Sequence, residues 1–413
     1  MISAEDKIEL LNIELRGLFE IIDAINNNEK EESLYRIFRF TLKSQFYNII
    51  SAMALYTFTE EGWRCQEFYG LPYRFSEIPL PDVLKNLTFV EHQSELIEEV
   101  RDIFPFNEFD SLIPIAHKSQ PLAFIFLKKK SSVQNEELFD KKFISALCNI
   151  IIVAIENKKF VRREQRQRHQ IELAKNVQRL FFPKKLPYSH ELKIAANYQP
   201  HSSVGGDYYD YIPLGKDRFI ICIADVSGKG ISASLLMSNF RGAVHMLTRY
   251  TDNLSTIVQQ LNDLVYQVAS KDFVESHFVT AFFLHYDFAF KRIQYINAGH
   301  NAPFLIDKEG KVVQLEPDTT VLGAVEELPN LRINEIENMT HWTIVCFTDG
   351  ITETTNFAQE QFGDEQLKQF LQKNFHLEPL QMNEKLLEEL AKFRGSESTA
   401  DDITLLTCQI KAS

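Results

Sequence analysis

The sequence predicts an α/β protein in which antiparallel strands and helices form more than one domain. The chain has 413 residues, a length typical of roughly two or three domains. Residues 208–214 and 218–224 are apolar, β-branched and aromatic runs typical of strands, and Gly215-Lys216-Asp217 between them predicts a hairpin turn. A helical pattern over residues 231–250 follows this hairpin.

The predicted hairpin brings two aspartates side by side. Lys216 lies midway between Asp207 and Asp225, so folding about it places the two carboxylates opposite each other. Like charges directly opposite on a sheet are destabilising, and a hard divalent cation would compensate because Mg²⁺ and Mn²⁺ prefer carboxylate oxygens. The alternative is that both aspartates lie exposed in loops at the open end of the hairpin.

Other acidic residues also stand at the ends of predicted strands. Asp225 opens the glycine-rich turn 225–230. Asp349 follows the apolar run 343–347, and Asp401-Asp402 immediately precedes another apolar run. Strand ends are where a rigid scaffold presents side chains to ligands. Dispersed aspartates with few His or Cys residues favour a binuclear Mg²⁺ or Mn²⁺ site over a zinc site.

Several short motifs follow one another between residues 194 and 410. In chain order they are VGGDYYD (204–210), DVSGKG (225–230), FVTA (278–281), YINAGHNAP (295–303), FTDGITET (347–354) and DDIT (401–404). In this order they resemble the SpoIIE/RsbU-type branch of the PP2C-like (PPM) metal-dependent serine/threonine phosphatases. The resemblance implies an α/β/β/α sandwich, in which helices cover the outer faces of two antiparallel sheets.

The resemblance also implies the roles of the acidic residues. Asp207, Asp225 and Asp349 would be the catalytic carboxylates, with Asp225 bridging two Mn²⁺ or Mg²⁺ ions. The ions would activate water for in-line attack on phosphorus. Whether Asp401 or its neighbour is a ligand stays open at this point. The implied metal ligands are Asp207, Asp225, the Val226 carbonyl, Asp349 and one or both of Asp401 and Asp402.

Three further residues are candidates for phosphate contact or for support of the metal ligands. His300 ends a predicted strand, where it either contacts phosphate, donates a proton to the leaving serine oxygen, or pins a turn; the structural role is favoured. Asp210 is expected to be structural or to support a ligand. Gly228 precedes a predicted helix and its N-terminus would attract an anion, but the spacing excludes a nucleotide-binding Walker motif.

Composition excludes several other classes. The net charge of −13 argues against nucleic acid as the main partner. No cysteine has an arginine six residues later, so the signature of cysteine-based phosphatases is missing. The N-terminus does not look like a signal peptide, and the longest apolar stretch, 143–155, is too short for a membrane span. With unclustered cysteines, these features predict a cytoplasmic protein.

The N-terminal part is predicted to be a separate sensor or dimerisation domain over residues 1–157. Its pattern of helices, strands and a last helix resembles a GAF domain, with a PAS-like domain as the alternative. It would bind an unknown small-molecule or protein signal, or serve only for dimerisation. The predicted elements are helices at 5–25 and 32–45, strands at 52–56, 112–116 and 122–127, and a helix that starts near Glu136.

Residues 158–190 are predicted to be a helical linker and switch before a phosphatase domain at 191–413. No proline or glycine occurs from 143 to 182, so one long helix is expected. Its apolar stripe would form a coiled coil in a parallel homodimer, or dock on the phosphatase domain. In the resembled family, the segment matching 173–187 helps to switch the enzyme. The stripe consists of Ile171, Ala174, Val177, Leu180 and Phe181.

The sequence therefore predicts a metal-dependent protein phosphatase that hydrolyses phosphoserine or phosphothreonine. By resemblance, its substrate would be a phosphorylated regulatory protein of the STAS type, an anti-sigma factor antagonist in partner-switching signalling. Two alternatives remain. One is a non-catalytic scaffold with the same fold that binds the phosphoprotein without cleaving it, and the other is a phosphatase of small phosphate esters.

Overall fold

The structure is a computed structural model that divides into two compact units, Met1–Arg166 and Gln167–Ser413. The division falls inside the predicted linker 158–190. The described residues are 4–46, 49–59, 62–71, 75–85, 98–100, 102–117, 120–130, 141–269, 277–397, 399 and 401–411.

The N-terminal unit contains a four-stranded antiparallel sheet with strand order β2-β1-β4-β3. One face packs against helices through apolar residues such as Phe38, Ile125 and Ile151. The other face carries an aromatic cluster that includes Tyr56 and Phe106. The elements are α1 (Ala4–Asn26), α2 (Glu31–Gln45), β1 (Ile50–Thr59), β2 (Gly62–Tyr69), α3 (Asp82–Lys85), β3 (Ser111–His117), β4 (Gln120–Lys129) and α4 (Lys141–Arg179), which continues past Arg166 into the second unit.

Most elements predicted for this unit are confirmed, with one strand missed. Strand β2 was not expected because polar residues such as Arg64 and Glu67 interrupt its apolar pattern, but it pairs with β1 at the sheet edge. The predicted helix start near Glu136 lies outside the described residues. The long helix ends at Arg179 rather than at residue 182, because the Leu180 N–H bonds to the Val177 carbonyl in a tighter final turn.

The C-terminal unit contains two five-stranded antiparallel sheets, with strand orders β11-β10-β13-β14-β5 and β12-β9-β8-β7-β6. Its strands are β5 (Leu192–Gln199), β6 (Tyr208–Pro213), β7 (Arg218–Val226), β8 (Val279–Asp287), β9 (Arg292–Ala298), β10 (Phe304–Asp307), β11 (Val312–Gln314), β12 (Asn334–Ile336), β13 (His341–Phe347) and β14 (Ile403–Lys411). Its helices are α5 (Ile231–Tyr250), α6 (Leu254–Ala269), α7 (Asp349–Thr352), α8 (Gly363–Asn374) and α9 (Pro379–Arg394).

Three apolar layers stack these elements into the predicted sandwich. Helices α5 and α6 pack on the sheet of β6–β9 through residues such as Phe240. The inner faces of the two sheets meet around Ile223 and Ile344. Helices α8 and α9 cover the sheet of β13 and β14 through residues such as Leu386. The α/β/β/α architecture is therefore confirmed.

The register of the β6–β7 hairpin is also as predicted. Tyr208 pairs with Ala224, which leaves Asp207 and Asp225 as the next opposite positions of the two strands. At the turn, the Leu214 N–H donates to the Arg218 carbonyl over 2.8 Å. None of the helices in the described part of the chain is long and apolar enough to cross a membrane.

A fragment that begins at Gln167 is expected to fold on its own, because it keeps all three apolar layers of the sandwich. Its thermal unfolding, followed by circular dichroism, should be cooperative. A fragment that begins at Leu192 should unfold at a lower temperature, since it lacks Phe182, whose ring packs 4.7 Å from that of Tyr198 and 5.0 Å from that of Tyr209. A non-cooperative transition for the longer fragment would contradict the division.

Candidate active site

Asp207 is a buried carboxylate held by two hydroxyl groups from the opposite sheet. It directly precedes β6 and is 1% exposed. Its Oδ2 accepts hydrogen bonds from Thr348 Oγ1, at 2.8 Å, and from Thr404 Oγ1. Burial, followed by the charges of Asp225 and Asp402, raises the pKa of Asp207 well above its usual value, although the two hydroxyls oppose this shift. The site therefore lies where the ends of the two sheets meet.

Asp225 is the second carboxylate and lies near the end of β7, opposite Thr280 of β8. Burial and then the charge of Asp349 raise the pKa of Asp225 to about 7, while a hydrogen bond with Asp207 lowers it. Near neutral pH, ionisation of this group in the ion-free protein is incomplete. The negative charge of Asp225 is therefore disfavoured by burial and by the nearby charge of Asp349, and a bound cation would offset both effects.

Asp349 and Asp401 bring further negative charge from the other sheet. Asp349 is the first residue of α7, directly after β13. Burial, followed by the charges of Asp401 and Glu353, raises the pKa of Asp349 to about 6, and Lys229 opposes this shift. The Lys229 Nζ lies 2.8 Å from Asp401 Oδ2. This ammonium group partly offsets the negative charge at the edge of the cluster.

The structure separates the roles of the two adjacent aspartates. Asp402 is buried, and its Oδ1 and Oδ2 accept hydrogen bonds from the backbone N–H groups of His201, at 2.7 Å, and Gly206, at 3.0 Å. The Asp401 side chain is 31% exposed and is oriented toward Lys229. Asp402 therefore holds the backbone at residues 201 and 206, whereas Asp401, whose Oδ1 accepts the Asp402 N–H over 2.8 Å, is the more exposed member of the pair.

Glycines allow the backbone to pass close to these carboxylates. A Cβ on Gly206 would lie 2.7 Å from the Val226 carbonyl oxygen, the predicted backbone ligand. A Cβ on Gly350 would lie 2.0 Å from the Asp402 carbonyl oxygen. Both distances are shorter than real Cβ contacts, so a larger residue at either position would push the two contacting backbone segments apart.

His300 has the surroundings of a structural residue. It is buried, its Nδ1 lies 2.9 Å from Thr280 Oγ1, and its backbone N–H donates to Asn297 Oδ1 over 2.8 Å. Burial lowers the pKa of His300 to about 3, so the ring is neutral at physiological pH. These contacts favour the turn-pinning role, and Thr280 links the ring to the strand position opposite Asp225.

Asp210 and Gly228 also occupy structural positions. Asp210 Oδ2 accepts from the Tyr208 hydroxyl at 2.7 Å and lies 2.6 Å from His245 Nε2, which joins β6 to α5. Its Oδ1 accepts from the backbone N–H of Tyr211. Gly228 has a φ of +91° in the turn between β7 and α5, a conformation that favours glycine. Asp210 is therefore engaged away from the candidate ligands.

The donor set fits a hard divalent cation, although no complete coordination shell is preformed. The available groups are carboxylates and a backbone carbonyl, the oxygen donors that Mg²⁺ and Mn²⁺ prefer. Within the described residues, no three His, Cys, Asp or Glu side chains are already arranged so that they could hold a metal ion. The carboxylates are instead electrostatic neighbours, each raising the pKa of the next.

Four polar residues of this region had not been singled out from the sequence as site residues. Thr348 and Thr404 bind Asp207, and Lys229 pairs with Asp401. Gln178 bonds to the backbone beside Asp207. The threonines fall inside the motifs FTDGITET and DDIT, so motif membership was a signal for them. Nothing in the local pattern around Gln178 marks it as a contact of this loop.

The stability of the ion-free protein should fall as pH rises between about 4 and 7. Because the pKa values of Asp225 and Asp349 are raised to about 7 and about 6, the folded state binds more protons than the unfolded chain in this window. Asp225→Asn should reduce this fall in stability, because the variant has no carboxyl group to ionise at that position. With chelator at pH 8, it should unfold at least about 2 °C above the wild type, the shift that roughly 1 kcal/mol gives in such a domain.

Thermal unfolding from pH 5 to pH 8 measures this effect. Asp217→Asn is the matched control, since Asp217 is exposed in the β6–β7 turn, at the opposite end of the hairpin from Asp225. Identical pH profiles for the wild type and Asp225→Asn would contradict the electrostatic analysis.

Comparison with known sequences identifies relatives of the C-terminal region. The model of the family SpoIIE, Stage II sporulation protein E, matches residues 215–411. Protein IcfG of Synechocystis sp. is 26% identical over 266 residues, which cover 58% of this chain and 41% of that protein. Phosphoserine phosphatase RsbU of Bacillus subtilis is 29% identical over 251 residues, which cover 60% of this chain and 72% of that protein.

A solved structure shares the fold. The SiaA-PP2C domain of Pseudomonas aeruginosa matches with a TM-score of 0.53 at 19% identity, covering 60% of this chain and 98% of that one. This identity is low, so the match shows the sandwich fold alone. Together, the family match over residues 215–411 and the shared architecture show that the C-terminal region is similar to the SpoIIE family and has a PP2C-like fold.

Proposed function

We propose that this protein is a metal-dependent phosphatase of phosphoserine or phosphothreonine in proteins. The observation that carries the proposal is the group of Asp207, Asp225 and Asp349 at the meeting point of the two sheets, with pKa values raised by burial and mutual repulsion. Perturbed carboxylates of this kind are typical of functional sites. The similarity to a protein named phosphoserine phosphatase supports the reaction class.

The proposed cofactors are two Mn²⁺ or Mg²⁺ ions. Asp207, Asp225, Asp349 and Asp401 would hold them, and the Val226 carbonyl would add a backbone oxygen. When bound, such ions act as Lewis acids that activate water and offset charge on a phosphoryl group. Asp402 would hold the backbone of residues 201–206 rather than an ion, because it is buried and fixes two N–H groups of that loop, whereas Asp401 is more exposed.

The chain's own residues would position the carboxylates and admit the phosphate. The hydroxyls of Thr348 and Thr404 orient Asp207. Lys229 is 53% exposed and places its positive charge beside Asp401 at the edge of the site, where it would attract the phosphoryl group. The neutral, buried ring of His300 would keep Thr280 in place beside Asp225.

The proposed substrate is a phosphorylated regulatory protein, with a STAS-type antagonist as the specific candidate. A cavity of about 870 Å³ includes His300 in its lining and also carries the carboxylates of Glu316, Asp364 and Glu365. These negative charges would repel a small anionic ester but accept a cationic segment of a polypeptide. The lining does not include Asp207, Asp225 or Asp349, so the cavity would hold a neighbouring segment of a phosphoprotein rather than the phosphate itself.

Regulation through the N-terminal unit is part of the proposal. Residues 1–157 would form a GAF-like domain for an unknown small-molecule or protein signal, and the linker helix would pair in a homodimer. Leu173, Val177 and Leu180 support pairing, since their side chains are 52%, 53% and 61% exposed. In the dimer, a signal that reorders this helix would switch the phosphatase domain.

Turnover should depend on a divalent metal and on Asp225. With Mn²⁺, the full chain should hydrolyse an aryl phosphate and a phosphoserine protein, and chelator should abolish both activities. Asp225→Asn removes the carboxylate charge with little change in volume, and we expect a loss of at least about 100-fold in kcat, in line with removal of key electrostatic groups elsewhere. Asp217→Asn, the exposed control, should retain full activity.

The same assay separates the scaffold alternative from the enzyme. Metal-dependent turnover lost in Asp225→Asn supports the phosphatase. A protein that binds a phosphoprotein tightly but hydrolyses nothing with Mn²⁺ or Mg²⁺ would establish the scaffold instead. Hydrolysis of aryl phosphate without hydrolysis of any phosphoprotein would favour the small-ester alternative.

The adjacent aspartates should respond differently to the same substitution. Asp401→Asn should weaken Mn²⁺ binding at least about tenfold. It should not lower thermal stability, because the amide oxygen can still accept the Asp402 N–H and the lost charge no longer repels Asp349. Asp402→Asn should lower the unfolding temperature, because its new amide group would face one of two backbone N–H donors and leave that donor unsatisfied. Calorimetric Mn²⁺ titration and thermal unfolding of both variants test this, and the reverse pattern would overturn the assignment.

A further inference from the structure

We propose that Gln178, in the last turn of α4, is a positioning residue for the carboxylate centre. It holds the backbone at Gly205, and through it the segment that leads to Asp207 and binds Asp402. This inference rests on the proposed function, since it concerns how the same centre is kept ready for metal.

The contact of Gln178 with Gly205 uses both polar atoms of the side-chain amide. Its Nε2 donates to the Gly205 carbonyl over 2.7 Å, and its Oε1 accepts from the Gly205 N–H over 3.2 Å. Gln178 is only 5% exposed, whereas its helix neighbour Val177 is 53% exposed. Gln178 therefore faces inward from an otherwise solvent-exposed helical turn.

The clamped backbone touches the carboxylates directly. A Cβ on Gly205 would lie 1.9 Å from Asp402 Oδ2, so backbone and carboxylate are in immediate contact there. The next N–H, that of Gly206, donates to the same oxygen over 3.0 Å. Asp207 follows in sequence. A displacement of Gly205 would therefore move Asp207 and release a hydrogen bond of Asp402.

The end of the helix that carries Gln178 is anchored independently. Arg241 Nε donates to the Phe181 carbonyl over 2.6 Å, and its guanidinium lies 5.4 Å from the Phe181 ring centre. The Phe182 ring packs 4.7 Å from that of Tyr198. The helix end that carries Gln178 is therefore held in place by its own contacts with the sandwich. The two hydrogen bonds of Gln178 fix the position of Gly205 relative to this helix end.

The position of Asp207 explains why such a clamp matters. Asp207 is buried, and its Oδ2 keeps its hydrogen bonds to Thr348 and Thr404 only while the loop that carries it stays in place. A ligand set held in place before binding gives higher affinity, because the ion does not have to order it. The two hydrogen bonds of Gln178 supply this restraint from outside the cluster.

Gln178→Met in the full chain tests the inference, because methionine keeps the length and packing of the side chain but removes both hydrogen bonds. Calorimetric titration with Mn²⁺ should give an affinity at least about tenfold weaker, which corresponds to roughly 1.4 kcal/mol. Hydrogen exchange without metal should be faster in a peptide that covers residues 203–207. Asn176→Met, an exposed position on the same helix, is the matched control and should behave like the wild type.

The outcomes separate this inference from the proposed function. Mn²⁺ affinity within about twofold of the wild type, with unchanged exchange, would overturn the role of Gln178 while leaving the phosphatase intact. A wild type that binds no Mn²⁺ would overturn both proposals. If Gln178→Met does not unfold cooperatively, Gln178→Glu replaces it. That variant cannot donate to the Gly205 carbonyl, so its Mn²⁺ affinity should also be at least about tenfold weaker than that of the wild type. An affinity within about twofold of the wild type would overturn the role of Gln178.

Discussion

Repulsion among buried carboxylates is the constraint on which the C-terminal unit depends. Asp207 and Asp225 belong to one sheet and Asp349 to the other, so the charges meet only because the two sheets are stacked. Burial and mutual proximity raise the pKa of each group. Apolar layers lie between the two sheets and between each sheet and its helices. This close packing provides the rigidity that keeps the carboxylates together.

Several residues that are not candidate metal ligands hold the carboxylate centre in place through hydrogen bonds. The hydroxyls of Thr348 and Thr404 bind one oxygen of Asp207 from across the sandwich. Asp402 uses both oxygens to fix backbone N–H groups. Gln178 reaches the same loop from the end of α4. The arrangement places a hydrogen-bonded support behind the charged face that is open to a ligand.

The division of the chain also bears on regulation. The boundary between the compact units lies at Arg166 and Gln167, so the end of the long helix belongs with the sandwich. This end contacts the sandwich through Gln178 and Phe182, while Val177 and Leu180 remain exposed. One helical segment therefore combines an inward polar contact with an outward apolar surface, which is the organisation that the proposed linker switch requires.

The sequence by itself determined the secondary structure around the site and the pairing of Asp207 with Asp225, because strand alternation and a short turn fix the register of a hairpin. The resemblance carried by the ordered motifs implied the sandwich. Only the tertiary structure separated Asp401 from Asp402, since adjacent residues differ in what they face after two sheets have packed. It also decided the contact of Gln178 with Gly205, because that hydrogen bonding joins residues whose proximity no local pattern encodes.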